Sequence, residues 1–283
     1  MAKRSQEILG SGEKTMRTKL RKLGVAIVLS SSLQACGTIS GDGSGFSLSG
    51  KNEDVSETEA VADAAISGGS YVEAARLYEK AAGENPKSAS AYLGLGRSYL
   101  AMDQLGRAEF ALTRARMLDK RNPEILNELG TLKLRRLRPA EAIEFYDEAL
   151  RYERNNLSAL TGRAVALDFL SRHAEAQESY REGLKYYPSN FVLMSNYGLS
   201  LALSGQVGAG ISMMEELLRD PDNGDTVRSN LAIAYALDGK RREARAMLTG
   251  TMSETEVSAT LDHYEDMRNR FKSGKPIGYM VFS

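Results

Sequence analysis

Apolar and polar positions along the chain recur with a fixed period. When residues 55–258 are written in six blocks of 34, the same residue types fall into the same columns. The blocks begin at Val55, Ala89, Pro123, Leu157, Phe191 and Asp225. A fixed period of roughly 20 to 50 residues is typical of repeat architectures, so the periodicity predicts a chain built from stacked copies of one unit.

Three columns show what each unit contains. The eighth column is small in every block: Ala62, Gly96, Gly130, Ala164, Gly198 and Ala232. The twentieth column is also small: Ala74, Ala108, Ala142, Ala176, Gly210 and Ala244. The twenty-fourth column is large and apolar: Tyr78, Leu112, Tyr146, Tyr180, Met214 and Leu248. Small residues at helical spacing let two helices approach closely, and a large neighbour fills the adjacent groove. We therefore expect two antiparallel helices in each block.

Turn signals lie midway through each block, where two such helices must be joined. The predicted turns are Gly68-Gly69, Gln104-Leu105-Gly106, Arg138-Pro139, Ser171-Arg172, Ser204-Gly205 and Asp238-Gly239. Pro139 suits the first turn of a second helix, because the missing N–H has no partner there in any case. Each block is thus predicted to be a helix-turn-helix.

The 34-residue period with these columns resembles the tetratricopeptide repeat, in six consecutive copies over residues 55–258. The aromatic residue that this family carries at the fourth column is present only as Tyr92. Residues 257–272 predict one further amphipathic helix, the solvating cap expected at the end of a repeat stack. The predicted fold is therefore all-α: a tetratricopeptide-repeat superhelical solenoid of six helix-turn-helix repeats with a C-terminal capping helix.

The chain closes with an apolar tail over residues 273–283. Such a segment could add as a strand to a partner. Folding back on the capping helix and disorder are the alternatives that its terminal position favours.

The N-terminal region contains a basic segment, an apolar run and a lone cysteine, in that order. A basic segment at residues 16–22 contains no acidic residue, and it precedes an apolar run of 11 residues from Leu23 to Leu33. That run fits a signal peptide and is far shorter than the roughly 20 residues of a membrane-spanning helix. Residues 33–36, Leu-Gln-Ala-Cys, resemble the lipobox of bacterial lipoproteins and contain the single cysteine of the chain. An ordinary secretory peptide or an N-terminal anchor with an incidental cysteine is the alternative.

The lipobox resemblance implies how residues 1–54 are used. Residues 1–35 would be a lipoprotein signal peptide, with the long segment before Met16 favouring translation from that residue. Cys36 would be lipidated and become the mature N-terminus, and residues 36–54 would form a flexible Gly/Ser-rich tether. A lipoprotein of this kind is expected to carry three acyl chains, and two or more hold a protein firmly at a membrane. Gly37, rather than Asp, resembles signals sorted to the outer membrane, so we expect a lipid anchor facing the periplasm of a Gram-negative bacterium.

Charge and chemistry favour binding over catalysis. Seven of the 37 basic residues and two of the 37 acidic residues lie before Cys36. Residues 36–283 therefore contain 30 basic and 35 acidic residues, which gives a formal charge of −5. This slight excess of acidic residues is not the basic charge that a nucleic-acid-binding protein typically carries. The two histidines, His173 and His263, have no partner at metal-ligand spacing. The sequence therefore predicts no catalytic residue, no metal site, no cofactor and no enzymatic activity.

The resemblance to tetratricopeptide repeats implies a groove lined by the first helix of each block. Chaperone-type members grip a carboxylate there with cations, but the second column has none here, so we do not expect a carboxylate clamp. The predicted groove residues of the early blocks are polar: Arg97, Asn127 and Arg135. Those of the later blocks are apolar, with two amides: Val165, Phe169, Asn196, Leu199, Leu203, Asn230, Ile233 and Leu237. We expect the later blocks to bind an extended or helical segment of a protein partner; the alternative is that these side chains are core packed against the capping helix.

Lipid-anchored repeat proteins of this size resemble the TadD-type lipoproteins of tight-adherence (Flp) pilus assembly. The resemblance rests on the signal, the repeat arrangement, the length and the closing segment from Arg228 to Ala244, RSNLAIAYALDGKRREA. It implies a scaffold that helps an outer-membrane secretin to localise or assemble. A periplasmic adaptor for proteases or peptidoglycan hydrolases would have the same architecture.

Overall fold

A computed structural model describes residues 56–220 and 224–282, so the predicted signal peptide, Cys36 and most of the tether lie outside the described residues. The described part of the chain contains fourteen α-helices and no strand. The helices are α1 Glu57–Ser67, α2 Tyr71–Glu84, α3 Ala89–Ala101, α4 Leu105–Leu118, α5 Pro123–Arg135, α6 Pro139–Tyr152, α7 Leu157–Phe169, α8 His173–Tyr186, α9 Phe191–Leu203, α10 Val207–Leu217, α11 Gly224–Asp238, α12 Arg241–Leu248, α13 Glu254–Lys272 and α14 Gly278–Phe282. The predicted all-α fold of consecutive helix pairs is confirmed. None of these helices is both long and apolar enough to cross a bilayer.

Polar caps fix where the first helix of a pair begins. Ser88, Asn122, Asn156 and Asn190 lie one period apart, each directly before a first helix. Each side chain accepts a hydrogen bond from a backbone N–H in the first turn, as in the 2.9 Å bond from Ala159 N to Asn156. Such caps satisfy amides that have no partner within the helix. The repeat period therefore sets the helix starts as well as the core.

The turn between the two helices of each repeat pair contains one residue in the left-handed backbone region, and that residue always occupies the fifteenth column. These residues are Gly69, Asp103, Leu137, Ser171, Gly205 and Gly239. The turn predicted at residues 104–106 is corrected, because Asp103 has the positive φ of 57° and Gly106 lies inside α4. The direction in which the chain must reverse, rather than the residue type, decides which position adopts this conformation.

The small columns allow the close helix contacts that the sequence predicts. A Cβ on Gly130 would lie 2.7 Å from the ring of Tyr146, and one on Gly198 would lie 2.9 Å from Met214 Cγ. In both cases the eighth column meets the twenty-fourth column of its own block. The alanines of the twentieth column are fully buried.

The described residues divide into two compact units. The N-terminal unit comprises residues 56–136 and 144–154, and its core lies between Ala62 and Leu132. The C-terminal unit comprises residues 137–143 and 155–282, and its largest core cluster runs from Leu199 to Val281.

The end of the repeat array differs from the predicted boundaries of 258 for the sixth repeat and 257 for the capping helix. The second helix of the sixth pair, α12, already ends at Leu248, and the capping helix α13 begins at Glu254. Ser253 and Glu256 form a capping box, in which each side chain bonds the other's backbone N–H. The S-x-x-E signal for this start is present in the sequence.

Candidate partner-binding surface

The polar groove residues predicted for the early blocks lie in the N-terminal unit, where the two arginines connect neighbouring first helices. The guanidinium of Arg97, on α3, donates to Glu124 and Glu128 of α5, each at 2.9 Å. Burial alone would lower the pKa of Arg97, but the two carboxylates outweigh it and raise the pKa. Arg97 is therefore held as a cation whose charge the next repeat neutralises.

Arg135, on α5, is paired in the same way, and Asn127 on the same helix is buried. Arg135 donates to the backbone carbonyl of Leu100 and, at 3.2 Å, to the carboxylate of Asp103. Asn127 is 6% exposed. The predicted positive surface is thus a set of cations paired with acids of the adjacent repeat.

The apolar residues predicted for the groove form one continuous feature of the C-terminal unit, which we call the inner strip. Each first helix contributes a pair at i and i+4, and successive pairs are one period apart. The strip consists of Val165 and Phe169 on α7, Leu199 and Leu203 on α9, and Ile233 and Leu237 on α11. Phe169 is partly exposed and the other five are at most 4% exposed. In this arrangement of the chain, five of the six are not open to a partner.

The C-terminal helices cover the inner strip. The strip residues of α9 and α11 belong to one core cluster with Tyr264 and Met267 of α13 and with Ile277 and Val281 of the tail. Helix α13 packs against α11 and α12. The strip is therefore core in part, as the alternative in the sequence analysis proposed, and its role in binding stays a prediction.

The two amides predicted to hold a peptide backbone bond each other. Asn230 is 1% exposed, and its Nδ2 donates to Ser195 Oγ at 2.9 Å and to Asn196 Oδ1 at 3.1 Å. These bonds link α11 to α9, so both amides serve at least a structural role.

The apolar tail folds back over the end of the inner strip. The chain leaves α13 through an exposed segment, residues 273–276, and then forms the single-turn helix α14. The ring of Phe282 stacks on Phe169 with centroids 6.4 Å apart. Contacts from His263 Nε2 to the carbonyl of Met280, at 3.4 Å, and from Arg270 to the hydroxyl of Tyr279, at 3.0 Å, tie the tail to α13. Of the alternatives that the sequence left open, the structure has the one in which the tail folds back on the capping helix. The tail also contacts α7.

A cleft of about 290 Å³ remains beside the point where the tail meets the strip. Its apolar wall includes Leu203, Phe271 and Ile277, and its polar wall includes Ser171 and His173. The cleft has room for a side chain next to the segment that already lies on the strip.

A buried carboxylate lies under the tail, and the sequence analysis did not single it out. Asp168, on α7, is fully buried, and its Oδ1 contacts His173 Nδ1 at 2.7 Å and accepts from Ser200 Oγ at 2.8 Å. Burial raises the pKa of Asp168, while the bonds from His173, Ser200 and Tyr180 act in the opposite direction. The signal was the twelfth column, which is Ile66, Leu100, Leu134, Asp168, Ala202 and Ala236. One acid in an otherwise apolar column indicates a local polar network.

This network does not have the geometry of a catalytic triad. In a triad the histidine lies between the acid and the nucleophile, whereas here Asp168 lies between Ser200 and His173. Ser200 is itself fully buried. Within residues 56–220 and 224–282, no group of three or more His, Cys, Asp or Glu side chains is arranged to hold a metal ion. The network is best understood as a tie between α7, α8 and α9.

Comparison with known proteins identifies the repeat. A sequence profile described as a tetratricopeptide repeat matches residues 65–129. Among proteins with curated descriptions, none matches the sequence significantly.

Solved structures extend the likeness beyond that segment. The chain is similar to PilW, described as a widely conserved type IV pilus biogenesis factor, with 21% identity and a TM-score of 0.62 over 75% of this chain and 100% of PilW. A tetratricopeptide repeat protein from Parabacteroides merdae is 17% identical with a TM-score of 0.59 over 80% of this chain and 96% of that one. PilF of Pseudomonas aeruginosa is 20% identical, with a TM-score of 0.50 over 69% of this chain and 96% of PilF. These likenesses establish the fold, an all-helical tetratricopeptide-repeat solenoid.

Proposed function

We propose that this tetratricopeptide-repeat protein is a non-enzymatic scaffold, lipid-anchored at the periplasmic face of the outer membrane, that helps a secretin to localise or assemble in pilus biogenesis. The observation that carries the proposal is the combination of a sequence resembling a lipobox at residues 33–36 with a repeat fold that matches the whole length of PilW. The closing segment from Arg228 to Ala244 favours the tight-adherence (Flp) type of pilus, since it resembles TadD-type proteins.

The described residues support binding rather than chemistry. Arg97 of the N-terminal unit is paired with two carboxylates of the next repeat, and the buried Asp168 network lacks the order of a triad. Stacked helix pairs instead present rows of side chains at fixed spacing, which suits the recognition of a protein segment. We assign partner binding to the C-terminal unit, because the inner strip is a long row of apolar side chains, although the C-terminal helices cover part of it in this structure.

The anchor is tested by replacing the predicted lipid acceptor. In Cys36→Ser we expect loss of incorporated palmitate and release of the protein from the outer-membrane fraction, because serine offers no thiol for acylation. Ser32→Ala, four residues earlier, is the matched control and should keep both properties. Metabolic labelling and membrane fractionation measure them, and a Cys36→Ser protein that still carries label would contradict the assignment.

The sorting signal is tested separately at the next position. Gly37→Asp should leave the acyl label in place and move the protein to the inner membrane. A labelled Gly37→Asp protein that remains entirely in the outer membrane would argue against the sorting part of the proposal.

The partner is tested by capture from native membranes. The tagged full-length protein should co-purify a secretin, and a strain without the protein should form fewer or mislocalised secretin multimers. Normal multimers in that strain, with no secretin captured, would refute the pilus assignment. Capture of a periplasmic protease or a peptidoglycan hydrolase instead would favour the adaptor role.

A further inference from the structure

The tail lies on the surface predicted for binding, where its contacts with that surface, rather than a stable helix of its own, hold it. Its helix, α14, has five residues, too few for a helix that is stable on its own. Ile277 and Val281 are buried, while Tyr279 is 43% exposed. The tail thus depends on the surface beneath it for its conformation.

The link between the tail and α13 permits the tail to leave. Residues 273–276 are exposed, and they include Gly274, with a φ of 68°, and Pro276. Part of the strip's margin is also unfilled, since the cleft beside Leu203 and Ile277 stays open. Departure of the tail would expose Phe169, on which Phe282 stacks, and would widen the cleft beside Leu203.

One close contact sets the fit of the tail. Gly278 lies against the last turn of α7, where an added Cβ would collide with the carbonyl oxygen of Asp168 and would lie 2.7 Å from that of Phe169. Both obstacles are helix backbone, which cannot rotate aside as a side chain can. Only a residue without a side chain fits at this point of the contact.

The surface under the tail is almost free of charge. Across columns two, five, six, nine, twelve and thirteen of α7, α9 and α11 there is no Lys, Arg or Glu, and the single acid is the buried Asp168. The corresponding helices of the N-terminal unit carry Arg97, Glu124 and Arg135 at these columns. The tail matches this character, since residues 276–282, PIGYMVF, contain no charged side chain.

We infer that the tail is an internal ligand of the inner strip, and that a partner binds by replacing it with an uncharged apolar segment of its own. The segment would have a glycine where Gly278 contacts the end of α7 and an aromatic side chain to stack on Phe169. This inference rests on the proposed function in one respect, that the C-terminal unit binds a protein partner. It adds the chemistry of the bound segment and the competitor that the segment must displace.

The test uses the full-length protein and a labelled synthetic peptide of residues 275–283, KPIGYMVFS. Gly278→Ala should dislodge the tail, because its Cβ collides with backbone atoms of α7. We take the conformation with the tail docked to be about ten times more populated in the wild type than the conformation with the tail released. The wild-type protein should then bind the peptide about tenfold more weakly than Gly278→Ala. Fluorescence anisotropy measures both affinities. Gly208→Ala is the matched control, since a Cβ there meets nothing within 4 Å, and it should bind like the wild type.

Two further variants make the result specific. A peptide with alanine at the position of Gly278 should bind Gly278→Ala protein at least about tenfold more weakly. Adding Phe169→Ala to the Gly278→Ala protein should weaken binding of the normal peptide, because the ring that stacks on Phe282 is lost.

The inference fails if Gly278→Ala keeps its helical circular dichroism but does not bind the peptide. It also fails if the C-terminal unit of that variant unfolds, since the tail would then be structural core. Light scattering that shows wild-type dimers dissociated by the peptide would assign the strip to the tail of a second copy and overturn the partner assignment. The peptide assay contains no pilus protein, so peptide binding without secretin capture would refute the proposed function and leave this inference standing.

Discussion

Left-handed turn residues show how far single residues could be predicted. Gly69, Gly205 and Gly239 occupy the fifteenth column, and glycine adopts a positive φ without a steric cost. Asp103, Leu137 and Ser171 adopt the same conformation in the same column. Nothing in the type of Leu137 predicts this conformation, because the packing of the two flanking helices imposes it. The position of a residue in the repeat therefore predicts a positive φ better than its residue type does.

Gly205 and Gly208 provide a matched pair for testing this point. Gly205→Ala should lower the free energy of unfolding by about 1 to 2 kcal/mol, because a Cβ is strained at its φ of 97°. Gly208→Ala, inside α10, should raise it by a few tenths to about 1 kcal/mol, because alanine favours the helix. Neither Cβ would meet another atom within 4 Å, so packing does not complicate the comparison. Chemical denaturation measures both values, and equal effects at the two sites would contradict the argument.

The buried acid predicts a pH dependence with a definite sign. Because burial raises the pKa of Asp168 above its usual value of 3.8, the native protein holds this proton more tightly than the unfolded chain does. The stability that Asp168 contributes is thus complete in acid and is lost as the pH rises through the native pKa. Relative to Asp168→Asn, the wild type should lose free energy of unfolding as the pH rises above the usual carboxyl pKa of 3.8.

Urea denaturation across this pH range tests the sign, with the exposed Asp266→Asn as the control. Asp168 is surrounded by His173, Tyr180 and Ser200, and the first of these can carry a positive charge. A wild type that gains stability over Asp168→Asn as the pH rises would mean that the ion pair with His173 outweighs burial.

At the scale of the elements, the helices inside the repeats could be predicted from the repeat columns, whereas the helix boundaries after the last repeat could not. Helix pairs and their close contacts follow from residue types that recur once in every block, and the start of α6 follows from the single proline at Pro139. The end of α12 and the start of α13 lie where the period stops. There the local capping box at Ser253 decides the boundary, because no neighbouring repeat constrains it.

Ala142 tests the close approach of a helix pair. It is fully buried on α6 in the small twentieth column, so Ala142→Leu should overpack the contact and cost about 1 to 3 kcal/mol. Ala140→Leu, exposed on the same helix, should change stability by no more than about 0.5 kcal/mol. Thermal unfolding measures both, and an unchanged transition in Ala142→Leu would refute the assignment of the column.

At the scale of the whole molecule, the candidate site was predicted in its composition but not in its accessibility. The periodicity placed the pairs Val165 and Phe169, and Leu199 and Leu203, on successive first helices, and the structure has them there. It could not show that the tail stacks on Phe169 and packs in one cluster with Leu199 and Leu203, because the tail does not repeat and its contacts join residues far apart in sequence. The pairing of Arg97 with Glu128 was missed for the same reason, since the two residues lie in different blocks.

The evenly spaced caps have a consequence for how such a chain can change in length. Ser88, Asn122, Asn156 and Asn190 each stand directly before a first helix. Deleting or duplicating one full period between two of these residues joins a capping side chain to the first residue of another first helix. Every junction made this way regenerates a complete helix start. Recombination at the caps would therefore add or remove whole repeats and leave a capped first helix at each junction.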